Sequence, residues 1–181
     1  MIILTRSEIA RLMPKIRLPQ HRLMVALAYA AGLRAKEVVN LRVKHIDLEK
    51  GLVFVWGRTI IVPNKLRIEL WQLVKDKAPE AFLFSREHGI PFSIRNVQIM
   101  FRRALKRAMI LTPATFRSLR DSFGVHLMED GIATESVQKL LGHQNLKTTK
   151  RYQAFTSQDH QKISSPMERI RWVNDYRPGR F

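Results

Sequence analysis

From Leu23 to Leu33 the chain reads LMVALAYAAGL, its longest apolar stretch. Wound as a helix, a run of this length rises only about 16 Å, roughly half of a bilayer's hydrocarbon core. It is too short to span a membrane, so the helix belongs in the interior of a cored domain. The run ends at Gly32, a natural helix stop, and a second helix, AKEVVNL, follows at once. Arg34 stands at the head of that second helix, at a sharp corner between two helices. A corner of this kind projects a side chain from a rigid scaffold, although a lone arginine there is equally a cap or a surface charge.

The segments on either side read as helices around a small sheet. Thr5 or Ser7 caps SEIARLMPK, with Ile9, Leu12 and Met13 on one face, and Pro14 and Pro19 interrupt it. HIDLEKGLVFVW and RTIIVP, rich in β-branched and aromatic residues, are expected as antiparallel strands turning at Lys50-Gly51 and at Gly57. Residues 64–77 form a helix with Leu66, Leu70 and Leu73 on one face, and AFLF is a short extended piece entering a turn. Ser93 caps a long amphipathic helix, with Ile94, Val97, Phe101, Ala104, Leu105 and Ala108 toward the core. Thr115 or Ser118 opens the next helix, which stops at Asp130-Gly131, and Thr134 caps ESVQKLLGH, closed by Gly142. Ser157 caps a last helix whose Ile163, Met167 and Ile170 pack on this domain or on a neighbour. The expected fold class is α+β, mostly helical with a small antiparallel β-sheet.

Charge separates the remaining classes. Among 181 residues, 32 Lys and Arg face 15 Asp and Glu, a formal net charge of +17. Such a surface attracts polyanions, nucleic acid first among them, although a merely solubilising or RNA-binding basic surface carries a similar excess. Arg95, Arg102, Arg103, Lys106 and Arg107 occupy the outer face of the long amphipathic helix with no acid to balance them, and Lys147, Lys150 and Arg151 add a short basic segment downstream. With no cysteine, disulfides and thiolate metal sites are excluded and a reducing compartment is permitted; a cytoplasmic location is the expectation. There is no phosphate-binding Gly-rich loop, no His-Glu-x-x-His pair and no carboxylate cluster for magnesium, so neither a cofactor nor a metal is expected.

What the sequence offers instead is LLGHQNLKTTKRY, in which His143 precedes Tyr152 by nine positions across a Thr-Thr pair. Arg34, Arg117 and Arg120 supply guanidinium groups upstream. Arg117 and Arg120 are three apart and are expected on one helical face, where two like charges are costly unless an anion or an acid, Asp121 being the obvious one, lies beside them. A phenol among arginines and a histidine can attack a phosphodiester while fixed positive charge holds the non-bridging oxygens.

In order along the chain, AGLRAKEVVNLRVKHIDLEKG, SIRNVQIMFRRALKRAMI, RSLRDSFGVHLMEDG and LLGHQNLKTTKRY resemble the first arginine box, the basic linking helix, the second box and the His-to-Tyr box of the tyrosine recombinase (phage integrase) catalytic domain. The resemblance covers nearly the whole chain. It implies a single catalytic domain over residues 1–181 without the family's N-terminal core-binding domain. It also implies that Arg34 and Arg120 hold the scissile phosphate of double-stranded DNA, that His143 donates a supporting hydrogen bond and that Tyr152 is the nucleophile. The implied reaction gives a 3′-phosphotyrosine and a free 5′-hydroxyl, followed by religation, with a tetramer assembled on DNA through residues from about Gln158 to Ile170 and a monomer in solution.

Two positions depart from the family pattern. Arg117 stands where a histidine usually opens the second box, and Arg58 where a lysine follows the hairpin glycine; Lys65 is a weaker substitute. A guanidinium binds phosphate but, with its high pKa, cannot accept or readily supply a proton. A DNA-binding relative that is catalytically silent or impaired is therefore one alternative, and a type IB topoisomerase-like enzyme that relaxes supercoils is another.

Overall fold

A computed structural model describes residues 1–142, 149 and 166–170. Helices α1 (Arg6–Leu12), α2 (Pro19–Ala31), α3 (Ala35–Val39), α4 (Asn64–Val74), α5 (Ile94–Arg107), α6 (Phe116–Glu129) and α7 (Thr134–Leu141) surround one core, with a small sheet to one side. The mostly helical fold with a small antiparallel sheet is the architecture expected from the sequence. No described helix is long and apolar enough to cross a membrane.

Helix α2 is the axis of the molecule. Every residue from Leu23 to Ala31 is buried, as an all-apolar helix requires, with Pro19 at its first turn, where the missing N–H is no loss. It packs along α6, against α4, and more briefly on α3 and α5. At its end Gly32 has φ +59, and a Cβ there would lie 2.7 Å from both Leu141 and Phe123. Only glycine satisfies that backbone and that approach.

Helix α6 is almost as deeply buried, yet it carries Asp121, Ser122 and His126 inside. Buried polar groups need partners. Ser122 Oγ donates to the Ser118 carbonyl at 2.7 Å and accepts from Leu4 N at 2.8 Å. Tyr29 Oη and His126 Nδ1 are 2.7 Å apart, and Arg6 donates to the His126 carbonyl and to Asp130. Leu4 and α1 are thereby fastened to the central helix pair.

The sheet runs β1 (Ile46–Asp47), β2 (Leu52–Val55), β3 (Arg58–Ile61), antiparallel throughout. HIDLEKGLVFVW supplies two strands, turning at Lys50-Gly51 as expected, with Gly51 at φ +66 ending the turn between them. Val53, Val55 and Ile60 face the core, while Phe54 and Ile61 face outward. AFLF is an extended piece held by an isolated bridge between Arg42 and Phe82.

Capping follows the sequence closely. Thr5 and Glu8 form a reciprocal capping box on α1, and Ser93 accepts from Asn96 N at the start of α5. Two details differ from expectation. Ile94, at the first position of α5, is exposed, so the buried stripe begins at Val97; and α7 is preceded by extended Ala133, leaving Thr134 as its first helical residue and not its cap. Pro166–Arg169 form a short 3-10 turn that packs against α2 and α6 with Met167 and Ile170 buried, and Lys65 Nζ donates to the Ile170 carbonyl at 3.1 Å. This part of the tail therefore packs on its own domain.

Burial, with the nearby Arg6 charge, pushes His126 from 6.5 down to about 3. Between those values the unfolded chain takes up a proton that the folded chain refuses, so stability falls as pH drops through the window, by up to about 1.4 kcal/mol per pH unit. Thermal melts of wild type and His126→Gln between pH 7 and pH 5 should show the variant's stability declining less steeply, by roughly one proton's worth of slope.

Candidate active site

The centre of the site is Glu37, on the first turn of α3, a residue that sequence reasoning passed over. Its carboxylate accepts both terminal nitrogens of Arg58 at 2.9 Å each, as a planar fork-to-fork pair. The same group accepts the Arg34 backbone N–H at 2.6 Å, lies 3.5 Å from the Arg34 guanidinium and 3.9 Å from that of Arg120. Burial alone would push the carboxyl up; the Arg58 hydrogen bonds, the Arg34 N–H and the charges of Arg58 and Arg120 outweigh it and hold it below the ordinary carboxylate range. One anion gathers three of the arginines singled out by sequence.

Each arginine is placed by a different element. Arg34 is the N-cap residue of α3, in extended backbone just after the Gly32 corner, and its side chain is 54% exposed. Arg58 opens β3 immediately after the hairpin and is 8% exposed, with Nε buried and unpartnered among the described residues. Arg120 is buried in α6 and donates from Nη1 to the Gly32 carbonyl at 2.7 Å and from Nη2 to the Leu141 carbonyl. Those carbonyls terminate α2 and α7, where the helix dipoles place partial negative charge. Arg120 therefore ties two helix ends to the carboxylate.

Arg117 is placed apart from this group. It is 80% exposed and its Nε lies 3.7 Å from Asp121, while Arg120 turns inward. The two do not stand side by side as the three-residue spacing suggested, because a hundred degrees of helical twist per residue puts them about sixty degrees apart, enough at the edge of a buried face to send one out and one in. Lys65 is engaged with the Ile170 carbonyl.

Gly142, at φ +63, closes α7 so near to Arg58 that a Cβ there would meet its Nη1 at 3.2 Å. The continuous described stretch thus reaches the arginine cluster at Gly142, one residue before His143 in sequence. His143, Lys147, Lys150, Arg151 and Tyr152 lie outside the described residues.

On α5, Arg95, Arg102, Arg103, Lys106 and Arg107 are all exposed, and none forms an ion pair or hydrogen bond among the described residues. A basic face left wholly uncompensated suits a line of phosphates. No group of acidic, histidine or cysteine side chains that could hold a metal ion occurs among the described residues.

Residues 3–159 match the model of the phage integrase family. The chain is 35% identical to the tyrosine recombinase XerA of Thermococcus kodakarensis, over 92% of this chain and 63% of that protein. It is 37% identical to the tyrosine recombinase XerC of Escherichia coli O157:H7, over 80% of this chain and 50% of that protein. Among solved structures, the XerA recombinase superposes with a TM-score of 0.77 at 22% identity, over 84% of this chain and 60% of that one. The XerH recombinase bound to its difH substrate gives 0.75 at 20%, over 84% and 50%. The chain spans between half and two-thirds of the length of these relatives.

If Glu37 holds the cluster together, removing its charge leaves buried guanidiniums opposing one another. Glu37→Gln should destabilise the fold by about 3–5 kcal/mol, the usual cost of breaking a buried ion pair from one side. A urea titration reads this as a lower midpoint with an unchanged slope.

Proposed function

The chain belongs to the phage integrase family, and from that membership we propose that it is a tyrosine-type DNA strand transferase, cleaving and rejoining double-stranded DNA for site-specific recombination. The observation that carries the reading is the cluster itself: Arg34, Arg58 and Arg120 meet on the single carboxylate of Glu37, leaving a surplus of fixed positive charge beside the end of α7. Three guanidiniums on one carboxylate suit a second anion such as a phosphate. The buried Nε of Arg58, unpartnered among the described residues, is a further donor at the cluster.

In the proposed reaction Arg34 and Arg120 bind the non-bridging oxygens of one phosphate, and His143 adds a hydrogen bond. The Tyr152 hydroxyl oxygen attacks phosphorus as the bond to the 5′ oxygen breaks. The phenolic proton is given up, the leaving oxygen takes up a proton, and the strand is held as a 3′-phosphotyrosine beside a free 5′-hydroxyl. Attack of a 5′-hydroxyl on that linkage reverses the step, so the phosphodiester energy is retained without ATP. Basic residues of α5, with Lys147, Lys150 and Arg151, bind the flanking backbone. The protein works as a tetramer on DNA and a monomer in free solution; the monomer accords with the packing of residues 166–170 on their own domain, which takes those residues out of the assembly contact.

A second reading has a specific observation behind it. Arg58 is locked onto Glu37 and Arg117 stands at the surface, each where the family pattern has a lysine or a histidine. A protein built this way binds DNA but transfers protons slowly, as a silent or accessory relative would.

The adduct decides between them. On nicked duplexes tiled across the DNA flanking the coding sequence, wild type should form an SDS-resistant protein–DNA complex that Tyr152→Phe does not, with duplex binding equal in both. Binding without an adduct on any duplex would favour the accessory reading. Arg34→Ala should slow adduct formation by about 10²–10³-fold, the usual effect of losing one donor to a transition-state oxyanion.

Replacing Arg102 and Lys106 together by alanine should weaken binding to all duplexes alike. The slope of log affinity against log salt should fall by about two, one for each phosphate that the variant leaves unneutralised.

A further inference from the structure

The tip of the β2–β3 hairpin carries a residue that the fold does not explain. Val55 pairs with Arg58, so Trp56 and Gly57 form a two-residue turn, and both have positive φ, +36 and +77. A turn with positive φ at both central positions favours Asn, Asp or Gly at the first, because a Cβ in left-handed backbone crowds the neighbouring carbonyl. An indole is a poor choice there, and packing does not compensate it. Trp56 is 62% exposed and makes no ring contact, cation–π contact or hydrogen bond among the described residues. Phe54, two residues earlier on the outer face of β2, is also exposed.

Backbone strain held at an exposed aromatic marks a ligand contact more readily than a structural role. The ligand class follows from what lies beside it. Two residues on, Arg58 grips Glu37, which holds Arg34; along the strand Trp56 is at most about 7 Å from Arg58 by Cα positions. The chain as a whole carries a formal net charge of +17, so a polyanion with flat apolar faces fits better than an apolar protein surface. Nucleobases have such faces and stack on indole rings without regard to sequence.

Resting on the strand-transferase reading above, we propose that Trp56 is a positioning residue that inserts against a base neighbouring the phosphate held by the arginine cluster, unstacking that step and fixing which phosphate is presented for attack. Inserted apolar wedges of this kind kink a duplex at the step they enter. Trp56 itself touches no reacting atom.

The test exploits the strain. Trp56→Asn places a favoured residue in the turn, so its melting temperature should equal or exceed wild type, whereas loss of a structural tryptophan would lower it. On the tiled duplexes the same variant should bind about tenfold more weakly and form at least tenfold less adduct, with Trp56→Phe retaining most of both. In a protein whose only tryptophan is Trp56, made with Trp71→Phe and Trp172→Phe, emission should be quenched as a labelled duplex saturates. Unchanged emission at saturation, together with wild-type adduct yield in Trp56→Asn, would overturn the proposal. So would emission that follows protein concentration and ignores DNA, which would place Trp56 between copies of the chain. If wild type forms no adduct on any duplex yet Trp56 is quenched by bound DNA, the strand-transfer reading fails and the wedge stands; absence of any DNA binding removes both.

Discussion

The rest of the structure depends on one buried guanidinium. Arg120 reaches out of α6 to the carbonyls that end α2 and α7 and lies against Glu37 of α3, so four helices meet at a single planar cation. Taking such a charge out of water costs several kcal/mol unless every neighbour compensates it. The compensation comes from two helix dipole ends and a carboxylate, none of which could be moved without unpairing the others. The arrangement is therefore rigid where the proposed chemistry needs rigidity, since a phosphate-binding cation that shifts on binding loses much of its advantage.

Glu37 explains how several arginines can gather at one point. It grips Arg58 most firmly and holds Arg34 by its backbone, leaving the Arg34 side chain the most accessible of the three. The charges toward the centre are organised by protein atoms, and those on α5 by none of the described residues. The molecule thus has two kinds of positive surface: a small fixed cluster suited to one phosphate and an open face suited to many.

Much of this was legible in the sequence, for identifiable reasons. The Gly32 stop, the Arg34 corner, the Ser93 cap and the turn at Gly57 are local events, governed by residues within four positions of one another, and local patterns report them well. The burial of α6 is different. Its Arg, Asp, Ser and His residues carry no local sign of burial, and only long-range partners such as Leu4, Tyr29, Gly32 and Leu141 reveal that they are inside. Glu37 was missed for the same reason, although an acid three residues after a helix-opening arginine was a visible signal of a cap. The family resemblance supplied Arg34 and Arg120 as a pair, but the separation of Arg117 from Arg120 came from the depth of burial along one helix, which spacing alone does not encode.

Gly32 illustrates how tightly such a centre limits sequence change. Its left-handed backbone turns the chain toward Arg34, its carbonyl receives Arg120, and its bare α-carbon admits Leu141 and Phe123. Any side chain there would strain the turn, wedge α2 away from α6 and α7, and tilt the acceptor that orients the central cation, all from a residue that touches no ligand. Drift is open to the outer helix faces, where a substitution is judged on one criterion; at this glycine three criteria coincide, and the position has almost no neutral neighbours in sequence space.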